Sequence, residues 1–145
     1  MKAWLGALAA VGLAAAAASA APALADDHRT KAPAGAELYF IGVEDGASLS
    51  NPVTIRFGLK GMGVAPAGIE KEKTGHHHLL INQKLETYAD PIPNDETHRH
   101  FGGGQTEVTL DLPAGTHTLQ LVLGDQNHIP HDPPIESKVI TVTVK

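Results

Sequence analysis

The chain has 145 residues, with 11 basic side chains against 16 acidic ones, nine histidines and no cysteine. A formal charge of −5 argues against nucleic acid as a partner and mildly favours cations. The lack of cysteine excludes disulfides, thiolate metal sites and a lipid anchor on cysteine.

The N-terminus reads as an export signal. Met1 and Lys2 give a short positive start, residues 5–18 are apolar and small, and Ala23-Leu24-Ala25 offers a small-x-small cleavage site. Residues 1–25 therefore read as a secretory signal peptide, with a cut after Ala20 as the alternative. The apolar stretch is short for a membrane span and no second one follows, so no membrane insertion is expected. The processed chain is expected in the periplasm or outside the cell. Processing removes Lys2, which takes the formal charge to −6, and Trp4, the single tryptophan. Aromatic platforms for carbohydrate are then poorly supplied. About 120 residues remain, enough for one domain with one core.

Residues 26–35 are polar and contain Pro33 and Gly35, which predicts a flexible N-terminal arm. The domain is expected to fill 36–145. A first strand is expected at 36–43. At 52–60, Val53, Ile55, Phe57 and Leu59 alternate with Thr54, Arg56, Gly58 and Lys60, the mark of a strand with one buried face. A long connection, 61–74, leads to a strand at 76–82. The next connection, 84–105, carries Pro91, Pro93 and Gly102-Gly103-Gly104, and has room for a short edge strand. Val108, Leu110 and Leu112 mark a strand at 106–112. Leu119, Leu121 and Leu123 mark another at 116–124. Pro113-Ala114-Gly115 between these two reads as a hairpin turn. Asp132-Pro133-Pro134 breaks the chain before a last strand at 138–144, where Ile140, Val142 and Val144 alternate with polar neighbours. No segment beyond the signal has an amphipathic helical pattern. About seven short strands predict an all-β, immunoglobulin-like antiparallel β-sandwich.

That topology turns a histidine-rich composition into a site. His76-His77-His78 open the strand at 76–82, His98 and His100 precede the strand at 106–112, and His128 and His131 follow the strand at 116–124. All three groups are then expected at one pole. Within the first group, His77 shares parity with Leu79 and Ile81 and reads as a core histidine, which leaves His76 and His78 as the better ligands. His117 shares parity with Leu119 and reads as structural. For His98 and His100 the plain alternative is a pair of solvated loop residues. The predicted metal ligands are His76, His78, His98, His100, His128 and His131, with Asp125, Asp132 and Glu96 as nearby carboxylates that can ligate or orient. Imidazole without thiolate suits Cu(II), Zn(II) or Ni(II), with copper favoured by affinity and zinc by availability. Ordinary imidazoles would lose the metal between pH 7 and 5. A separate site is expected if cleavage follows Ala25. Asp26, Asp27 and His28 would then offer the α-amine, two amides and an imidazole to Cu(II) or Ni(II).

Catalytic patterns are missing. There is no His-Glu-x-x-His and no Gly-x-Ser-x-Gly, and Gly102-Gly103-Gly104 lacks the Lys-Ser/Thr of a phosphate loop. The glycines instead suit an unusual backbone path beside the histidines. No catalytic residue is assigned, and a binding role is expected over an enzymatic one. The expected role is copper or zinc buffering, delivery or tolerance, with the metal ion as ligand and an envelope protein as a further partner. The alternative is a metal-free envelope interaction module that binds a protein or glycan through its His-rich loops.

The segments GHHHLLIN (75–82) and HFGGGQTEVTLDLPAGTHTLQLVLGDQNHIPHDPPIESKVITVTV (100–144) closely resemble the bacterial family catalogued as domain of unknown function 4399. The resemblance covers most of the processed chain. It implies a small exported single domain and brings no activity with it.

Overall fold

A computed structural model describes residues 28–145, so the expected signal peptide lies outside the described residues. Nine strands and no helix are found there. They are β1 (Glu37–Ile41), β2 (Ser48–Leu49), β3 (Val53–Lys60), β4 (Gly63–Val64), β5 (Thr74–Ile81), β6 (His98–His100), β7 (Glu107–Leu110), β8 (Gly115–Gly124) and β9 (Ile140–Val144). No helix of the described residues is long and apolar enough to cross a membrane.

The strands form two sheets. One has the order β1-β3-β7, and the other the order β2-β9-β8-β5-β4, with β6 also paired to β5. The principal pairings are antiparallel. The two-residue strands β2 and β4 run parallel to β9 and β5, which makes the larger sheet mixed. β6 is the short edge strand for which the 84–105 connection has room, and β2 and β4 raise the count from seven to nine.

One core joins the sheets. Leu38, Val53, Ile55 and Phe57 from the first sheet cluster with Leu79, Ile81, Leu119, Leu121, Leu123, Val142 and Val144 from the second. The period-two pattern is the cause, because alternate side chains of one strand project to one face. Removing a buried leucine side chain such as Leu121 would cost on the order of 2–5 kcal/mol.

Pro113-Ala114-Gly115 does not close a hairpin. β7 pairs with β3 while β8 pairs with β5 and β9, so the turn carries the chain from one sheet to the other. The Asn51 side chain holds Leu112 by both backbone groups, donating to its carbonyl at 2.7 Å and accepting from its N–H at 3.0 Å. That clamp fixes the end of the β7 segment beside the start of β3. Alternation marks strands, but it is blind to which strand becomes the partner.

β5 is buried on both faces. His77, Leu79 and Ile81 face the core, and the His77 ring packs against Phe57 with centroids 5.1 Å apart. His76, His78 and Leu80 face outward. There Leu80 joins Val122, Ile92 and Leu85 in a second small apolar cluster. The connection after β5 thus folds back over the outer face of the sheet and covers it.

The segment from His28 to Ala32 lies along the 125–132 loop. Lys31 forms a bridge with Asp132, Ala32 N–H donates to Asp132 O at 2.8 Å, and Asp132 N–H donates to Thr30 O at 2.9 Å. Arg29 and Lys31 both pair with the Asp132 carboxylate. The described part of the arm is therefore bonded to the domain.

Candidate metal centre

Strand geometry brings three of the predicted ligands together. His76 and His78 are two residues apart on β5 and share its outer face. β6 pairs antiparallel with β5, which sets His100 directly opposite His78. On the other side of β5, Gly124 of β8 lies opposite His76. His128 comes from the loop that follows β8, at a left-handed φ of 66°.

The four rings converge. One ligand atom from each of His76, His78, His100 and His128 lies within 4.8 Å of all the others. His76 Nε2 is 3.0 Å from His78 Nε2 and 3.1 Å from His128 Nδ1. A single ring nitrogen has either one proton or one lone pair. His76 Nε2 therefore cannot make a good hydrogen bond to both neighbours. His100 Nε2 is buried and has no partner. Buried polar atoms are ordinarily satisfied, and four imidazole nitrogens this close together could hold a metal ion.

Two glycines make room for it. A Cβ on Gly102 would sit 2.4 Å from His100 Cε1 and 2.7 Å from His100 Nε2. A Cβ on Gly124 would sit 3.0 Å from His78 Nε2 and 3.3 Å from His128 Cα. Any side chain at either position would press into the ring cluster.

Electrostatics favour the neutral form of His76, His78 and His100. Burial lowers His76 to a pKa of about 4, with His128 and His100 adding repulsion and Asp125 opposing it. His78 is lowered further, again first by burial and then by its histidine neighbours. His100 is lowered by burial and by His128. A metal ligand must be unprotonated, and burial favours that state in these three rings.

The other sequence-predicted ligands are elsewhere. His98 pairs opposite Leu80, two residues along β5 from His78, and its Nδ1 meets both Asp95 carboxylate oxygens at 3.0 Å. That bond holds the Asp95 carboxyl below the usual carboxylate range. His131 is 1% exposed, and burial lowers its pKa against the pull of the Leu123 and Thr74 backbone and of Asp125. Neither joins the four-ring set: His98 shares the outer face with Leu80 but stands two residues along β5 from His78 and is engaged by Asp95, and His131 is buried apart from the four rings. His28 Nε2 donates to Ala89 O at 2.9 Å, while Asp26 and Asp27 lie outside the described residues. Of the carboxylates, Asp132 is taken by Arg29 and Lys31 and Glu96 is exposed. Asp125 is buried, and its Oδ1 accepts from the N–H groups of Asn127 and Ile129. His117 is structural: Nε2 donates to Pro113 O at 2.7 Å and Nδ1 accepts from Asn82 at 2.9 Å.

Gly124 and Thr30 carry no sequence signal for a role at this site. Gly124 is a lone glycine at a strand end, and Thr30, whose hydroxyl donates to Asp125 Oδ2 at 2.7 Å, is 95 residues away from its partner.

No curated protein and no solved structure matches the chain significantly. A family model described as Domain of unknown function (DUF4399) matches residues 55–145, a span that holds β5, β6, β8 and all four converging histidines. The chain belongs to the DUF4399 family.

Proposed function

We propose that the protein binds one divalent transition-metal ion through His76, His78, His100 and His128. The observation that carries this reading is the approach of four imidazole nitrogens from three separate chain segments to within 4.8 Å. Four nitrogen ligands without thiolate suit Zn(II) or Cu(II). Four protein ligands also fill a tetrahedral shell, and a filled shell holds a metal where a catalytic one keeps a position open for water or substrate. The role is therefore metal buffering, delivery or tolerance in the cell envelope. The signal-like N-terminus supports that location. The strand orders β1-β3-β7 and β9-β8-β5 support an immunoglobulin-like sandwich as the scaffold, since that fold places its first, second and fifth strands opposite its last, sixth and third.

Titration of untagged protein with Zn(II) and with Cu(II) tests the proposal. One tight equivalent is expected, lost when all four histidines are replaced by alanine and retained when His98 and His131 are replaced instead. Unchanged stoichiometry in the four-alanine variant rejects the site.

A further inference from the structure

We infer that the N-terminal segment latches the metal site through Thr30 and Asp125; this rests on the four-histidine reading. His128 differs from the other three ligands in sitting on a loop, at a left-handed backbone angle. Only a few per cent of non-glycine residues adopt such angles, and here the surrounding bonds hold the backbone in place.

The imposing bonds centre on Asp125, which is 2% exposed. Its backbone N–H donates to Ile129 O at 2.9 Å, and its carbonyl accepts from His128 N–H at 2.9 Å. Its Oδ1 accepts from Asn127 N–H at 2.8 Å and Ile129 N–H at 3.0 Å. One carboxylate oxygen thus spans both sides of His128. The other oxygen, Oδ2, accepts from the Thr30 hydroxyl, and the Asp132 bonds to Thr30 and Ala32 close the loop at its far end. From the opposite side, Ile92 N–H donates to His128 O at 2.8 Å. The loop that aims His128 is therefore tied at Asp125 and Asp132 to a segment nearly a hundred residues away.

Asp125 is a positioning residue: its Oδ1 fixes the backbone on both sides of His128, and its Oδ2 ties that loop to Thr30. Docking of residues 28–32 and occupancy by metal then favour each other, and thermodynamic linkage makes the coupling equal in both directions.

The test measures Zn(II) affinity of untagged protein in four forms: wild type, Thr30→Val, Thr30→Ser and Thr30→Val combined with His128→Ala. Thr30→Val is expected to weaken binding about 5- to 20-fold, within the range of ordinary coupling between sites. Thr30→Ser, which keeps the hydroxyl, should bind as wild type. In the His128→Ala background the Thr30→Val change should have no further effect, because the ligand it aims is gone. A general loss of fold would persist in that background. In parallel, hydrogen exchange of residues 28–32 should slow when Zn(II) is added. Wild-type affinity in Thr30→Val, or an equal loss with and without His128, overturns the latch while leaving the metal site intact. A wild-type chain that binds no Zn(II) overturns both.

Discussion

The choice among nine histidines is made by neighbours with no chemistry of their own. Gly102 and Gly124 flank the ring cluster where a Cβ would collide with His100 and crowd His78. His100 is half-buried, so its ring can swing outward under pressure. Gly102→Ala should therefore cost metal affinity about 10- to 100-fold, the scale seen when the supports of a ligand are disturbed. Its φ is not in the left-handed region, so the melting temperature of the metal-free protein should barely move. Paired calorimetric measurements of binding and melting check this, and unchanged affinity would show that His100 is no ligand. His98→Ala is the matching control, expected to bind metal as wild type. From the sequence, His98 and His100 looked equivalent; the difference is Asp95, which engages His98 and not His100. Parity did separate His77 from His76 and His78, because a strand sends alternate residues to opposite faces whatever follows. His128 and His131 lie where no periodicity applies, so only the folded loop distinguishes them.

At the scale of elements, β5 shows how far a pattern can be read. Its apolar residues mark it as a strand, yet both faces are buried, and the sequence has no sign that the 82–97 connection covers the outer one. The alternation in β3, β7, β8 and β9 was fully legible. The partners of β7 and β8 were not, since register and pairing depend on contacts between distant segments such as Asn51 with Leu112. The inner face carries an oddity with a consequence. His77 is fully buried against Phe57, and neither ring nitrogen has a partner. An unpaired buried polar group costs about 1–3 kcal/mol. His77→Leu should therefore stabilise the metal-free fold by about 1 kcal/mol and leave metal affinity unchanged, as denaturant titration and metal titration would report.

The same strand sets the response to acid. His76 and His77 are held to a pKa of about 4 from an ordinary 6.5, with His78 lower still. Between those values the unfolded chain binds protons that the folded chain does not, so stability rises with pH across the window. The contribution is complete above pH 6.5 and is lost as the pH falls toward 4. Metal binding should follow these lowered values. Retention at pH 5 and release near pH 4 are expected, below the window that ordinary imidazoles would give. Release already complete at pH 6 would contradict the burial of the cluster.

For the whole molecule, a metal at the proposed site would add to the strand pairing that already joins β5 to β6 and β8. β5, β6 and the loop after β8 carry the four converging histidines, and the proposed latch at Thr30 would add the N-terminal segment. A ligand that binds only the folded state stabilises it by about 2.7 kcal/mol at a free concentration one hundred times its dissociation constant. In a chain without disulfides, that increment is a large fraction of total stability. Zn(II) should raise the melting temperature by several degrees, and alanine at the four histidines should abolish the rise. The all-β class was readable from strand alternation, and the expected sandwich topology pointed to histidine groups meeting at one pole, of which four residues converge. The set of four was not readable, because it depends on the Asp95 contact that engages His98 and on the folded loop that separates His128 from His131.

The most direct measurement is X-ray absorption at the zinc edge of untagged, Zn(II)-loaded protein, repeated with His76, His78, His100 and His128 replaced one at a time. The expected spectrum is four nitrogen neighbours at about 2.0–2.1 Å with imidazole outer-shell scattering, and one imidazole fewer in each variant. A zinc shell of mostly oxygen atoms, or one that survives all four substitutions unchanged, would contradict coordination by these rings.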